Sequence, residues 1–264
     1  MKRTILGDAD IFAFKYASAN EEKFYFDGKD APPAVDADFD AAIAGVQEYI
    51  GDLQEKLTAT EVIICLSDPE ANFRKQIYEP YKSKRDHSTR PMFLQAVKDW
   101  FRTKYKTYQR DTLEADDCMG ILSTHPTLVK GEKIIVSEDK DMQTIPGLLY
   151  NPRKDDSPRT VTRLDADRFH LWQAVVGDTC DGYPGAKGVG PKSPYALGVL
   201  ASKTVEEMWP HVLAAHAKAL KTTVDDPSVE AAALVQARCS RILRATDWDF
   251  EAKRPRLWMP PRTN

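Results

Sequence analysis

The chain has 264 residues, 42% of them apolar, enough for one large or two small domains with a proper core; it has no 18-residue apolar stretch and no signal-peptide pattern, so it reads as soluble, non-membrane and cytoplasmic. Cys65, Cys118, Cys180 and Cys239 are far apart and form no CxxC, and the five histidines show no paired spacing, which disfavours a structural zinc site, a disulfide framework or a histidine-based metal centre. The net charge of −3 hides an asymmetry: positions 74–110 hold eleven Lys/Arg against three acids, a local +8, leaving −11 on the rest.

In chain order, residues 2–6 read as a short strand, 10–19 as a helix, and 21–33 as an irregular segment closed by Pro32-Pro33. Phe39, Ile43, Val46, Ile50, Leu53 and Leu57 recur at steps of three and four, which marks an amphipathic helix over 38–57. Residues 62–66 form a buried-strand run, and 70–90 have little periodicity and read as a mobile arch or loop. Pro91 suits the first turn of a helix reaching about Tyr105, and a further helix starts near Leu113 with Thr112 as its N-cap. Strands follow at 133–136 and 148–151, then a helix at 165–176. This alternation predicts a parallel α/β sheet up to about residue 165. Beyond it the chain reads as all helical, including 205–220 and 227–243, without repeats.

Acids close the apolar runs: Asp8, Asp68, Glu114-Ala115-Asp116-Asp117, Asp139-Lys140-Asp141 and Asp178-Thr179-Cys180-Asp181. Strand ends on one edge of a parallel sheet converge, so five segments can bring up to nine carboxylates to one place. Two charges about 4 Å apart repel by roughly 4 kcal/mol at an effective dielectric near 20, so such a group needs protons or hard divalent cations with oxygen ligands. Asp139 and Asp141 share a side if the strand geometry persists; Asp178 and Asp181 share a face if the helical turn continues. Glu114 faces with Asp117 inside a continuous helix, or converges with Asp116 if it precedes the first turn. Taken singly, each acid is equally a cap or a turn residue; the five together point to metal-dependent phosphodiester chemistry.

Two further stretches suit nucleic acid. Phe73-Arg74-Lys75, Tyr78, Tyr81-Lys82 and Lys84-Arg85 interleave rings and cations, an arrangement for stacking on unpaired bases beside phosphate contacts, as well as one found on a solvated basic face. The glycine-rich run from Gly182 to Lys192, with Gly185, Gly188 and Gly190, is read as a hairpin opening a helix, whose N–H groups together with Lys187 and Lys192 can clasp a phosphate without reading bases.

In their order along the chain, Asp8, Asp68, Phe73-Arg74-Lys75, Tyr81-Lys82, Arg85, Glu114-Ala115-Asp116-Asp117, Ser137-Glu138-Asp139-Lys140-Asp141, Gly177-Asp178, Asp181-Gly182 and Gly188-Val189-Gly190-Pro191-Lys192 resemble the 5′-nuclease (flap endonuclease) superfamily. The sequence is most similar to the 5′→3′ exonucleases of tailed bacteriophages, a likeness extended by Arg241-Ile242-Leu243-Arg244 before Trp248-Asp249-Phe250. The resemblance implies a PIN-like core with a mostly parallel sheet over 1–165, a helical arch at about 70–105, and a helical part over 166–264 with a helix–three-turn–helix DNA-binding module at about 177–200. It further implies two Mg²⁺ or Mn²⁺ ions, with Asp8, Asp68, Glu114, Asp116 and Asp117 around the first and Asp139, Asp141, Asp178 and Asp181 around the second, Asp139 being shared. Lys82 and Arg85 match the family's catalytic basic pair, and Arg74, Lys75, Lys84, Gly185, Lys187, Gly188, Gly190 and Lys192 are assigned DNA contacts, with K⁺ at the hairpin; Tyr81 is either a stacking platform for the terminal base or a core-facing ring. Asp10 is the nearest rival to Asp8 as a ligand.

The implied enzyme is a monomeric, two-metal 5′→3′ exonuclease acting on duplex DNA at 5′ ends, nicks or flaps, and on RNA primers in RNA–DNA hybrids, in the cytoplasm of a phage-infected host. The short stretch between Arg85 and Pro91 argues against a closed hole for threading a long flap. A structure-specific flap endonuclease is the alternative. A catalytically silent DNA-structure-binding protein would lose some of the acids, and a PIN-type ribonuclease would lack the glycine hairpin and the Asp178/Asp181 pair.

Overall fold

The computed structural model describes residues 2–26, 33–84 and 90–261. The elements are β1 (Arg3–Asp8), α1 (Ala9–Ala19), β2 (Glu21–Phe24), β3 (Ala34–Ala37), α2 (Phe39–Lys56), β4 (Glu61–Cys65), α3 (Phe73–Ile77), α4 (Leu94–Lys104), β5 (Lys106–Tyr108), α5 (Ala115–Thr124), β6 (Glu132–Val136), a 3-10 turn (Lys140–Thr144), β7 (Gly147–Tyr150), β8 (Arg159–Val161), α6 (Arg163–Val176), α7 (Pro194–Ala201), α8 (Val205–Leu220), α9 (Pro227–Ser240), β9 (Trp248–Asp249) and β10 (Arg254–Pro255).

Six strands form one sheet in the order β5-β4-β1-β6-β7-β8, parallel except for β8. Its middle strands are buried on both faces, which is why their sequences are nearly continuous Ile, Val and Leu. Alternate residues serve opposite layers. Leu6, Ile63 and Ile135 pack with α5 on one side, whereas Ile5, Ile64 and Ile134 pack with α1, α2 and α4 on the other. Register aligns Asp8 with Cys65 and Gly7 with Val136, so β1, β4 and β6 end together at one edge. Helices α6, α7, α8 and α9 bury a core of their own around Leu171, Val175, Met208 and Val212.

Several local expectations are corrected. The segment read as irregular contains β2, which pairs antiparallel with β3 just beyond it, and α3 lies within the stretch read as arch or loop. The chain beyond residue 165 is not purely helical, because β9 and β10 pair after α9. Thr112 does not cap α5: it sits at φ 65, and Glu114 occupies the cap, with Asp117 accepting from the Glu114 N–H. The helix before Asp178 ends at Gly177, which has a φ of 75. A Cβ at that position would lie 2.4 Å from the Pro184 carbonyl carbon, so only glycine fits.

Candidate active site

The sheet edge gathers its acids in three ways. Asp8, at the end of β1, caps α1 by accepting from Asp10 N at 2.8 Å and Ile11 N at 3.3 Å. Asp139, after β6, caps the 3-10 turn by accepting from Asp141 N at 2.8 Å. Asp116 comes from the first turn of α5, where the helix dipole favours a carboxylate. These three stand close enough for their charges to act on one another. Burial, followed by the charges of Asp10 and Asp139, pushes Asp8 up to about 7. Burial, then Asp8, raises Asp116 well above the carboxylate range despite the nearby Lys82.

The other acids carry ammonium partners. Lys82 Nζ pairs with Glu114 and lies 3.5 Å from Asp181 Oδ1. Tyr81 Oη is 3.0 Å from both Glu114 Oε2 and Asp181 Oδ2. Burial alone would raise Glu114, but Lys82 and Arg74 outweigh it and hold the carboxyl at about 2. Lys140 Nζ bridges Asp141 Oδ1 at 2.8 Å and Asp178 Oδ2 at 2.5 Å. Burial also works against the Asp178 charge, yet the hydrogen bond from Lys140 lowers its pKa. Asp141 is raised by burial and then by Asp139, so Asp139 acts on both the Asp8/Asp116 pair and Asp141.

The structure therefore redistributes the predicted ligand sets. Glu114 precedes the first turn of α5 and adds to the field on Asp116, whereas Asp117 turns away. Asp181 faces Glu114 through Tyr81 and Lys82, and Asp178 faces Asp141 through Lys140, so the helix ending at Gly177 does not present the two on one face. Asp68 holds loops, its two oxygens accepting from Glu70 N at 2.9 Å and Thr112 N at 2.6 Å. Asp10 accepts from Ser67 Oγ at 2.5 Å and pairs with Lys98 of α4. Among the described residues, no three acid, histidine or cysteine side chains are already arranged to hold a metal ion.

Several predicted DNA contacts are corrected outright. Arg74 is 2% exposed and makes a two-pronged pair with the fully buried Asp117, at 2.7 Å on each side, while also donating to Cys239 O and Arg241 O. Asp117 in turn accepts from Leu243 N at 2.9 Å, so this pair clamps α3, α5 and the 239–243 segment instead of meeting DNA or an ion. Tyr81 is 2% exposed and parallel to the Tyr183 ring, so of its two readings the core-facing ring holds and the stacking platform does not. Gly185 is buried and gives its N–H to Gln236 Oε1 at 2.8 Å, so it has none for a phosphate. Lys75, Lys84, Lys187, Gly188, Gly190 and Lys192 are exposed, with open space beside both glycines. Arg85 lies outside the described residues.

A groove of about 1300 Å³ runs past this edge, lined by Asp10, Asp68, Lys75, Lys82, Lys98 and Glu114 among others. Three residues at the site were not anticipated from sequence: Lys140, Gln173, which donates to Asp141 Oδ1 at 2.8 Å, and Ser67, which joins Asp10 to Ala115 N. The signal for Lys140 was present: a lysine between two acids at a strand end.

Residues 23–149 match the family described as 5′-3′ exonuclease, N-terminal resolvase-like domain. The exodeoxyribonuclease of Enterobacteria phage T3 is 28% identical over 231 residues, covering 75% of this chain and 73% of that protein. The exonuclease of Escherichia phage T7 is 28% identical over 239 residues, covering 78% and 77%. A flap endonuclease Xni of Shewanella sp. (strain W3-18-1) is 30% identical over 148 residues, covering 52% of this chain and 56% of that protein. In fold, a T5 protein co-crystallised with metal ions superposes with a TM-score of 0.60 at 16% identity, covering 90% of this chain and 91% of that one. With its parallel sheet and acid-lined carboxyl edge, the chain is similar to the 5′-3′ exonuclease N-terminal domain over nearly half of its length and to the phage exonucleases over about three quarters of it. It is an enzyme, a 5′→3′ nuclease of exonuclease or flap endonuclease type. None of its described helices is long and apolar enough to cross a membrane.

Proposed function

We propose that this nuclease is a divalent-cation-dependent 5′→3′ exodeoxyribonuclease that hydrolyses phosphodiester bonds at the 5′ ends of duplex DNA. The observation that carries the reading is the trio Asp8, Asp116 and Asp139, delivered by three separate elements and mutually repelling. Carboxylates so placed are costly when charged, and their all-oxygen donor set fits a hard divalent ion. Asp139 also acts on Asp141, which Lys140 joins to Asp178, and this supports a second ion there and the use of Mg²⁺ or Mn²⁺. When bound, such ions would polarise the scissile phosphate and lower the pKa of an attacking water.

The chain's own residues supply the rest. Lys82 extends its ammonium between Glu114 and Asp181, where it can neutralise charge that develops on a phosphate. Asp68 fixes the loop that leads into α5, and the Arg74–Asp117 clamp fixes the first turn of that helix. The exposed Lys187, Gly188, Gly190 and Lys192 suit sequence-independent contact with a duplex backbone, in a helical part beginning near residue 166. The exonuclease preference is supported by the phage exonucleases, which match three quarters of the chain against about half for the flap endonuclease.

Incubating 5′-labelled blunt duplex, nicked, flap and RNA–DNA hybrid substrates with Mg²⁺, then sizing the products, tests this reading. Mononucleotides from blunt duplex support it. Short oligonucleotides released only from flaps would transfer the assignment to the flap endonuclease.

A further inference from the structure

Lys140 stands between two carboxylates of the candidate site. Its Nζ lies 2.8 Å from Asp141 Oδ1 and 2.5 Å from Asp178 Oδ2, between carboxylates 37 positions apart in sequence. Both acids are held independently of the lysine. Gln173 Nε2 donates to Asp141 Oδ1 at 2.8 Å, and Asp178 Oδ1 accepts from Cys180 N at 2.7 Å and Asp181 N at 3.2 Å. Removing the ammonium would thus leave two oriented carboxylates facing one position between them.

The lysine itself is easily moved. Its side chain is 55% exposed and it stands on the first residue of the 3-10 turn, so it can swing into solvent without a backbone shift. Gln173 adds an independent sign that the position takes a hydrated ligand. It is 2% exposed, and its Oε1 has no hydrogen-bond partner among the described residues. A buried amide oxygen in that state is an acceptor that a water carried by a cation would satisfy.

We propose that Lys140 is an intramolecular counterion that occupies the place of the second divalent cation and must be displaced for that ion to bind. This rests on the divalent-cation reading above. It makes Lys140 a residue that sets the concentration of metal at which the enzyme becomes fully loaded, while the trio Asp8, Asp116 and Asp139 binds its ion without such competition. Apparent affinity falls by the fraction of molecules in which the competing arrangement is absent, so a lysine seated in nine molecules of ten weakens the second ion about tenfold.

The test is Mn²⁺ binding to the metal-free full chain, followed by electron paramagnetic resonance of the free ion, for wild type, Lys140→Met and Lys140→Arg. Lys140→Met is expected to tighten the weaker of two Mn²⁺ ions about tenfold and leave the tighter one unchanged. Lys140→Arg, which keeps a cation at the position, is expected to stay near wild type. An unchanged or weakened second ion in Lys140→Met, with the first ion intact, overturns the counterion role alone. Absence of Mn²⁺ binding in wild type and variants overturns it together with the divalent-cation reading.

Discussion

Two groups of acids share one sheet edge and have opposite electrostatics. Glu114 and Asp181 surround Lys82, and Asp141 and Asp178 surround Lys140; in each group a carboxyl is held low by its ammonium, Glu114 at about 2. Asp8 and Asp116 are instead raised by burial and by neighbouring acids, and Asp141, on the Asp139 side of its pair, is raised with them. The difference separates where charge is already balanced from where the protein stores a demand for it. A cation gains most where carboxylates repel one another, so under the proposed function the Asp8/Asp116/Asp139 trio would take an ion first and the lysine-filled groups only once their ammonium is displaced.

This contrast is challenged most severely by removing the acid common to both sides. Asp139→Ala is expected to reduce turnover by at least about a thousandfold while leaving DNA affinity, measured without catalysis in Ca²⁺, largely intact. Normal turnover would remove its place between the two groups. Lys82→Ala is expected to lower kcat by roughly a hundredfold with a smaller change in KM, as single-turnover kinetics would register; an effect confined to affinity would make Lys82 a docking residue.

Stability distinguishes the buried clamp from the site. Arg74→Ala strands Asp117 without a partner and is expected to cost about 3–5 kcal/mol in denaturant unfolding. Asp8→Asn keeps an N-cap but removes a strained charge. The folded Asp8 titrates at about 7 against an ordinary value of 3.8, so the metal-free protein holds a relative stability below pH 4 that is lost as pH rises through about 7. Asp8→Asn should therefore stabilise the metal-free protein by about 2 kcal/mol at pH 8 and by little at pH 4, visible as a Tm difference that shrinks with acidification. A gain independent of pH would contradict the assignment of the burden to the Asp8 charge.

What the sequence disclosed depended on the range of the physics involved. Strand ends were legible because β1, β4 and β6 are apolar runs that stop at Asp8, Ser67-Asp68 and Ser137-Asp139. The parallel sheet and the converging acids follow from that local pattern. Arg74 was misread because its partners, Asp117 and the carbonyls of Cys239 and Arg241, lie 43 to 167 positions away, and a buried arginine looks like an exposed one in a basic run. Thr112 looked like a cap until Asp68 took its N–H and the chain turned at φ 65. Asp178 and Asp181 looked like one helical face, but Gly177 ended the helix just before them. Short pairings such as β2–β3 left no periodicity long enough to read.

Whether Asp8, Asp116 and Asp139 together create the demand for a divalent cation can be seen by anomalous diffraction from crystals soaked in Mn²⁺. A strong peak among these three carboxylates at low Mn²⁺, before any peak between Asp141 and Asp178, is the expected result. Peaks that arise first elsewhere, with the three carboxylates bare, would contradict it.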